Sequence, residues 1–281
     1  MNLLQILILA IIQGAAELLP VSSSAHVITA EKLMGLDPTS PAMTLLLVML
    51  HTGTMLSVIV YFWKSWKQTY FSSGAAFRTN VLQIVVATVL TGIVGFGLLL
   101  LIKHVFAANA SKFEIEHLFG NAKLMATALA SAGVLIIVSS RYQQSKEGDL
   151  SLKSAAIIGA VQGLCLPFRG FSRSGATISA ALACGVARRR AEEFSFALAV
   201  VLTPAVIVKE AWRFYKDQAA MSSIQVTEMM HGLMPSMLGM VFSFLAGLVA
   251  LKWLSHWLDH NRWHFFGGYC LVAAVAVLMI G

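Results

Sequence analysis

Two short stretches hold most of the side chains in this chain that could do chemistry. The first, Gln13 to His26, reads QGAAELLPVSSSAH, and the second, Arg169 to Ser179, reads RGFSRSGATIS. Gln13 and Glu17 are four residues apart, so on a helix they share one face and can point into one cavity. Ser22, Ser23 and Ser24 supply hydroxyls that can also cap a following helix. His26 falls in the first turn of that helix, where the dipole disfavours imidazolium and leaves a ring suited to act as base or nucleophile. In the second stretch Ser172, Arg173, Ser174, Gly175, Ala176 and Thr177 open another helix. Free backbone amides, the hydroxyls of Ser172, Ser174 and Thr177, and a guanidinium then converge on one spot, which is what an anion needs. Gly170 and Gly175 allow the backbone to come close to a ligand. A carboxylate and an imidazole beside an anion clamp suit phosphoryl transfer, which depends on positioning and charge neutralisation. The bland alternative is a capped helix whose Arg173 pairs with a buried Glu17. It accounts for the charge pair but not for the clustering of Gly and Ser.

These polar groups lie in an oily chain. Of its 281 residues 58% are hydrophobic and 12% charged, and the mean hydropathy is +0.77, which identifies a polytopic membrane protein rather than a soluble domain. An ionisable group at membrane depth costs about 2.5–3.5 kcal/mol unless partnered, which makes Glu17 a functional candidate. The formal charge of +7 resides in short loops between apolar segments, where membrane topology explains it and no nucleic-acid partner is needed. Cys165, Cys184 and Cys270 lie in apolar runs without metal or C-x-x-C spacing and read as free thiols with packing roles. The first 16 residues contain no Lys or Arg, so they are read as mature sequence rather than as a signal peptide.

The elements that must position the chemistry follow from apolar length and from breakers. Residues 2–19 form a helix too short to cross, Pro20 stops it, and a second short helix ends near Gly35. Such a broken helical hairpin is tolerated at membrane depth only where it lines a cavity. Spans near 43–63, 81–102 and 120–139 follow. The plan then repeats, with a short helix at 154–166, a tip at 167–171, a short helix at 174–187, and spans near 193–212, 233–256 and 263–281. An offset of 150 pairs Ser22 with Ser172, Ser24 with Ser174, Ile28 with Ile178 and Gly35 with Gly185. The expected fold is therefore an all-α polytopic membrane protein, one domain over 1–281, with halves 1–140 and 151–281. Each half is a re-entrant helix hairpin plus three transmembrane helices, giving six full spans and two re-entrant hairpins. An odd number of crossings per half makes this an inverted-topology repeat whose tips meet near mid-membrane. Eleven basic residues in one set of loops against six in the other place the first set in the cytoplasm and both termini outside.

At these residues the sequence resembles the undecaprenyl-diphosphate phosphatase family of the bacitracin-resistance type. That family carries an (E/Q)-x-x-x-E stretch running into a Pro-Val-Ser-Ser-x-x-His tip, and a second P-G-x-S-R-S-x-x-T motif. Here Gln13 and Glu17 lead into Pro20, Val21, Ser22, Ser23 and His26, and the second motif appears as Gly170, Ser172, Arg173, Ser174 and Thr177. The likeness extends through EFSFALAV, Glu193 to Val200, and covers nearly the whole length. Arg169 stands where the family has Pro, with Pro167 two residues earlier, which would add a second cation to an anion site.

The resemblance implies removal of the terminal phosphate of undecaprenyl diphosphate, recycling the lipid carrier for peptidoglycan and envelope polymers. It also implies a divalent cation, Mg²⁺ or Ca²⁺, and a multi-pass protein of the bacterial inner membrane whose site opens to the periplasm. Glu17 would hold the metal or act as base, Arg173 would clamp the diphosphate, and Ser23 or His26 would attack or shuttle the proton. Gln13, Ser22, Ser24, Gly170, Ser172, Ser174 and Thr177 would bind substrate. The partners are the prenyl diphosphate and membrane lipids, and a homodimer is compatible with this reading. A lipid-phosphate flippase or transporter is the alternative, because broken helices in inverted repeats with an anion site are also a transporter plan. His51, within the third helix, is a candidate to face the cavity, with a helix–helix hydrogen bond as the favoured role, and Gln162 is expected to bond the tip backbone.

Overall fold

In the computed structural model, Asn2 opens helix α1 (Leu3–Leu18) with a capping box, its side chain accepting the Gln5 amide while the Gln5 side chain accepts the Asn2 amide. Pro20 pushes Leu19 into an extended conformation (φ −70°, ψ 151°) and so ends α1. The structure describes residues 2–36, 41–107, 121–141, 148–168, 170–218 and 223–280. Arg169 and its expected second cation lie outside the described residues.

Among the described residues the regular structure is helical. After α1 come α2 (Ser23–Leu33), α3 (Pro41–Tyr70), α4 (Gly74–Ala107) and α5 (Ala122–Arg141). The second half contains α6 (Leu152–Leu164), α7 (Arg173–Ala183), α8 (Arg188–Gln218), α9 (Ser223–Asp259) and α10 (Trp263–Ile280). Five of these, α3, α4, α5, α9 and α10, are long and apolar enough to cross a membrane. The sixth expected crossing, over 193–212 in α8, includes side chains outside the described residues. By contrast α1, α2, α6 and α7 have 16, 11, 13 and 11 residues. At 1.5 Å per residue they reach only about 17–24 Å, short of a hydrocarbon core of about 30 Å.

The second tip is capped as its sequence suggests, with Ser172 Oγ accepting the Gly175 amide at 3.2 Å. The first is not. Ser22 occupies the N-cap position of α2 but makes no side-chain cap bond, and its φ of 68° lies in the left-handed region that a β-carbon disfavours. The expected serine cap is absent because this backbone turn takes the Ser22 hydroxyl away from the first-turn amides.

Packing runs between the halves. α3 packs most extensively on α9, α5 on α10, α4 on α6 and α1 on α9. Exchanging the first five helices for the last five turns α1/α9 into α6/α4 and α1/α2 into α6/α7, while α5/α10 and α3/α8 map onto themselves. The match is uneven, since α3 meets α9 far more than α8 meets α4.

Two of these crossings agree atom by atom. A β-carbon on Gly14 would meet Ala246 Cβ at 2.7 Å, Ser243 O at 2.7 Å and Gly247 N at 3.2 Å. One on Gly163 would meet Val94 Cβ at 2.7 Å, Thr91 O at 2.9 Å and Gly95 N at 3.0 Å. One turn earlier in α6, a β-carbon on Gly159 would lie 2.2 Å from the Ala87 carbonyl oxygen. There the backbones are close enough for Thr91 Oγ1 to donate to the Gly159 carbonyl at 2.9 Å. Gly159→Val is expected to overpack this crossing and cost about 1–3 kcal/mol. The measurement is thermal unfolding in detergent, and an unchanged midpoint would contradict the crossing.

The bundle is tied at one end by Arg188, Arg189 and Arg190, each directed to a different helix. Arg188 Nη1 donates to the Asp259 carbonyl at 2.9 Å. Arg189 Nη2 donates to Ser65 Oγ at 2.9 Å, and its Nε lies 3.0 Å from buried Glu193. Arg190 bonds Asn80 on α4 and lies over the Tyr70 ring. Phe62, Trp66 and Phe196 stack beneath, joining α3 to α8. Large apolar side chains such as Val89, Phe96, Val249 and Val272 remain exposed on the long helices, as lipid-facing positions require.

Candidate active site

Glu17 sits in the last turn of α1, and its carboxylate gathers side chains from four helices. Ser23, the first residue of α2, donates its hydroxyl to Glu17 Oε2 at 2.5 Å. Gln13, one turn back on α1, donates to the same oxygen at 3.3 Å, as the i, i+4 spacing requires. Arg173 at the start of α7 places Nη2 3.4 Å from Glu17 Oε1. His51 of α3 places Nε2 4.0 Å from Glu17 Oε2. The Glu17 and Arg173 side chains are only 20% and 22% exposed, so little water screens the pair. A cleft over the cluster is lined by Glu17, His51, Thr54, Arg173 and Thr203, with Met55 and Val58 as apolar wall.

Arg173 has capacity to spare. Its Nη1 is buried and, among the described residues, has no hydrogen-bond partner. A buried N–H group without an acceptor is costly, and an anionic oxygen would satisfy it. Of the first-turn amides of α7, Gly175 N and Ala176 N go to Ser172, so the amides of Arg173 and Ser174 are the donors that cap does not use.

The hydroxyls around Arg173 hold its helix in place. Ser174 Oγ donates to the Leu19 carbonyl at the end of α1 at 3.2 Å and lies 3.4 Å from Ser172 Oγ. Thr177, fully buried, donates to the Arg173 carbonyl at 2.8 Å and lies 2.6 Å from Ser195 Oγ of α8. Gly170 has φ +103°, and a β-carbon there would lie 2.3 Å from the Met125 carbonyl oxygen. It therefore seats the tip against α5. Gly175 does the same against Ile136, 3.0 Å from where its β-carbon would stand. Ser24 is half-buried in the first turn of α2.

Three sequence expectations need correction. Among the described residues His26 shares no hydrogen bond or ion pair with Glu17. Its Nδ1 lies 2.8 Å from the Ser22 carbonyl and its Nε2 2.7 Å from the Tyr269 hydroxyl of α10, with the rings stacked at 5.6 Å. A carbonyl only accepts, so Nδ1 carries the proton and Nε2 accepts from Tyr269. The imidazole at the carboxylate is instead His51. Its Nδ1 bonds the Leu47 carbonyl of its own helix at 2.8 Å, so the expected helix–helix bond is replaced by an intrahelical one that turns Nε2 to the cleft. Gln162 bonds neither tip. It donates to Thr91 Oγ1 of α4 at 3.1 Å, because the close crossing at Gly163 brings that hydroxyl within reach. Tyr269 was not legible as a site residue, whereas the sequence makes His51 a candidate to face the cavity, and the spacing of Thr44 from Ser195 by 151 places that hydroxyl of α8 in the repeat, with Thr203 in the neighbourhood comparable to His51.

A divalent cation would find ligands here. Among the described residues there is no cluster of three His, Cys, Asp or Glu side chains placed for a metal. Glu17 Oε2 and His51 Nε2 stand 4.0 Å apart at the cleft, where a carboxylate and substrate oxygens would supply the oxygen ligands that a hard divalent cation takes.

The chain's sequence matches the family model described as Bacitracin resistance protein BacA over residues 6–276. It is 62% identical over 280 residues to undecaprenyl-diphosphatase 2 of Acinetobacter baylyi, covering 100% of this chain and 98% of that one. It is 32% identical to an undecaprenyl-diphosphatase of Gluconacetobacter diazotrophicus, covering 100% and 98% of the two chains. It is 30% identical to one of Korarchaeum cryptofilum, covering 100% of each. With the family model matched almost end to end and the polar tips of both halves closing on one carboxylate, the chain belongs to the bacitracin resistance protein BacA family.

Proposed function

We propose that this protein hydrolyses undecaprenyl diphosphate to undecaprenyl phosphate and inorganic phosphate, regenerating the lipid carrier of envelope polymer synthesis. One observation carries the reading: a serine hydroxyl 2.5 Å from a carboxylate whose other oxygen holds Arg173. The base thus touches both the candidate nucleophile and the anion clamp. A role in bacitracin resistance follows from the family.

In this reading Ser23 Oγ attacks the terminal phosphorus and Glu17 Oε2 takes its proton. The bond from that phosphorus to the bridging oxygen breaks, and the lipid monophosphate leaves with the proton that Glu17 returns. Water then cleaves the phosphoserine and releases inorganic phosphate. Arg173 binds the transferring group through Nη1 while Nη2 stays on Glu17, and the unused amides of α7 add to the clamp. Gln13 holds the carboxylate in register. Ser22 and Ser24 shape the tip beside the nucleophile, and His26, locked by Tyr269, holds the Ser22 carbonyl. Ser172, Ser174, Thr177 and Gly170 position Arg173. Glu17 would hold a divalent cation, Mg²⁺ or Ca²⁺, and when bound that ion neutralises charge on the diphosphate.

The same reading takes the chain as one domain of two inverted halves, 1–140 and 151–281, with re-entrant hairpins α1–α2 and α6–α7. The short lengths of those four helices and the matched contacts at Gly14 and Gly163 support it. The site then opens to the periplasm, with the prenyl tail among the helices and lipids. A carrier of lipid phosphate, monomer or homodimer, would have no use for a serine activated by a carboxylate.

The test is phosphate release from C55 or shorter prenyl diphosphate by purified protein. Release with Mg²⁺ or Ca²⁺ that falls to background with chelator and returns on adding the ion back is the expected result. Absence of phosphate under every cation, with substrate moved unchanged across proteoliposomes, would overturn it.

A further inference from the structure

Resting on Ser23 as the nucleophile of the reading above, we infer that Tyr269 and Cys270 of α10 are its positioning residues. From the far end of the chain they hold the first tip in the strained backbone conformation that delivers the Ser23 hydroxyl to Glu17. The strain lies one residue before the nucleophile. Ser22 has φ 68°, which a β-carbon disfavours, and such a residue persists only where its surroundings over-determine it. The other tip meets no such demand. Its positive φ falls on Gly170, at 103°, while Ser172, paired with Ser22 by the offset of 150, has φ −59°.

The restraint on the first tip is visible at its carbonyls, three of which accept from side chains. Ser174 Oγ of α7 donates to Leu19 at 3.2 Å, Cys270 Sγ to Pro20 at 3.2 Å, and His26 Nδ1 to Ser22 at 2.8 Å. A thiol is a weak donor, but Cys270 is fully buried, so no water replaces it at the Pro20 carbonyl. The His26 ring in turn rests on Tyr269, whose hydroxyl lies 2.7 Å from Nε2 with the rings stacked. A carbonyl only accepts, so Nδ1 donates whatever the charge of the ring, and a tyrosine hydroxyl can donate to Nε2 or accept from it. The clamp therefore holds in either protonation state. α10 is itself seated backbone to backbone just ahead of both residues. A β-carbon on Gly267 would lie 2.7 Å from the Gly133 carbonyl oxygen of α5, and one on Gly133 2.8 Å from that of Gly267. Neither Tyr269 nor Cys270 lines the cleft over Glu17 and Arg173, so their effect falls on the aim of Ser23 and not on the binding of substrate.

Tyr269→Phe removes only the hydroxyl and Cys270→Ala only the thiol. In the full chain, with a prenyl diphosphate and saturating cation, each variant is expected to lose about 10–100-fold in kcat, the cost of a nucleophile displaced by about 1 Å, with KM within about threefold of wild type. Cys270→Ser, which returns a donor to the Pro20 carbonyl, is expected to recover most of the loss. A non-hydrolysable prenyl methylenediphosphonate should bind all three variants with wild-type stoichiometry, so that kcat is read per folded site. Amide hydrogen exchange over residues 19–26, followed without substrate, is expected to quicken in Tyr269→Phe and Cys270→Ala more than anywhere else in the chain. Wild-type kcat in either variant, a change confined to KM, no recovery in Cys270→Ser, or loss of analogue binding would overturn the inference, the last by making the pair merely structural. The hydrolase reading fails separately. Should wild type release no phosphate, exchange at the tip still decides, and protection equal to wild type in both variants would remove the clamp.

Discussion

Phosphate release is expected to fall by about 10²–10⁴-fold when Glu17 is replaced by Gln. The substitution keeps the volume of the side chain and its place in the last turn of α1, but an amide cannot take the proton that Ser23 donates across 2.5 Å. It also removes the charge that Arg173 pairs with at 3.4 Å and, in the reading above, a ligand of the cation, so the loss of proton transfer is read at saturating substrate and cation. The loss should therefore appear in kcat. Single-turnover release with a prenyl diphosphate measures it, and a Glu17→Gln protein within threefold of wild type would remove Glu17 from the role of base.

Arg173→Lys is expected to lower kcat/KM by about 10²–10³-fold, the cost of losing one preorganised donor to a developing anion. Lysine keeps a positive charge but is a single point donor. It cannot hold Glu17 with one nitrogen and offer a second, as Arg173 does with Nη2 on the carboxylate and Nη1 buried without a partner among the described residues. The fall should be larger for diphosphate than for a monophosphate competitor, whose smaller charge makes less use of the clamp. Retention of full activity by Arg173→Lys would show that charge alone suffices and that the second nitrogen is idle.

Much of this arrangement was legible in the sequence, and the parts that were not have physical reasons. Pro20 and Pro167 stand just past the ends of α1 and α6, so those two breaks follow from local rules, although Pro204 and Pro235 sit inside long helices. The offset of 150 between the tips made Glu17 and Arg173 neighbours, since duplicated broken helices have nowhere else to hide polar ends. The partner of each imidazole was not legible. A histidine in an apolar span reads the same whether its free nitrogen meets a sister helix or a cavity, and the rotation of α3 that turns His51 to Glu17 is set by packing on α9. His26 was misplaced for a related reason. Its partner Tyr269 lies 243 residues away in a helix rich in aromatic and small side chains, and nothing local marks it. Nor did composition reveal that Ser174 and Thr177 spend their hydroxyls on the backbone of Leu19 and Arg173. Hydroxyls at a helix start look alike whether they face a ligand or the chain itself.

The twin contacts of Gly14 and Gly163 carry an evolutionary consequence. The same handshake seats both hairpins, yet four residues after Gln13 stands Glu17, and four after Gln162 stands Leu166, while Arg173 occupies the place that Ser23 holds in the other copy. If the two halves are copies, as proposed above, duplication kept the footing at Gly14 and Gly163 and let the tips diverge, one carrying the proposed attacking oxygen and its acid, the other the proposed grip. Each copy is by itself half a tool, so an ancestor with a single hairpin could have worked only as a pair of identical subunits, each tip having to serve both trades.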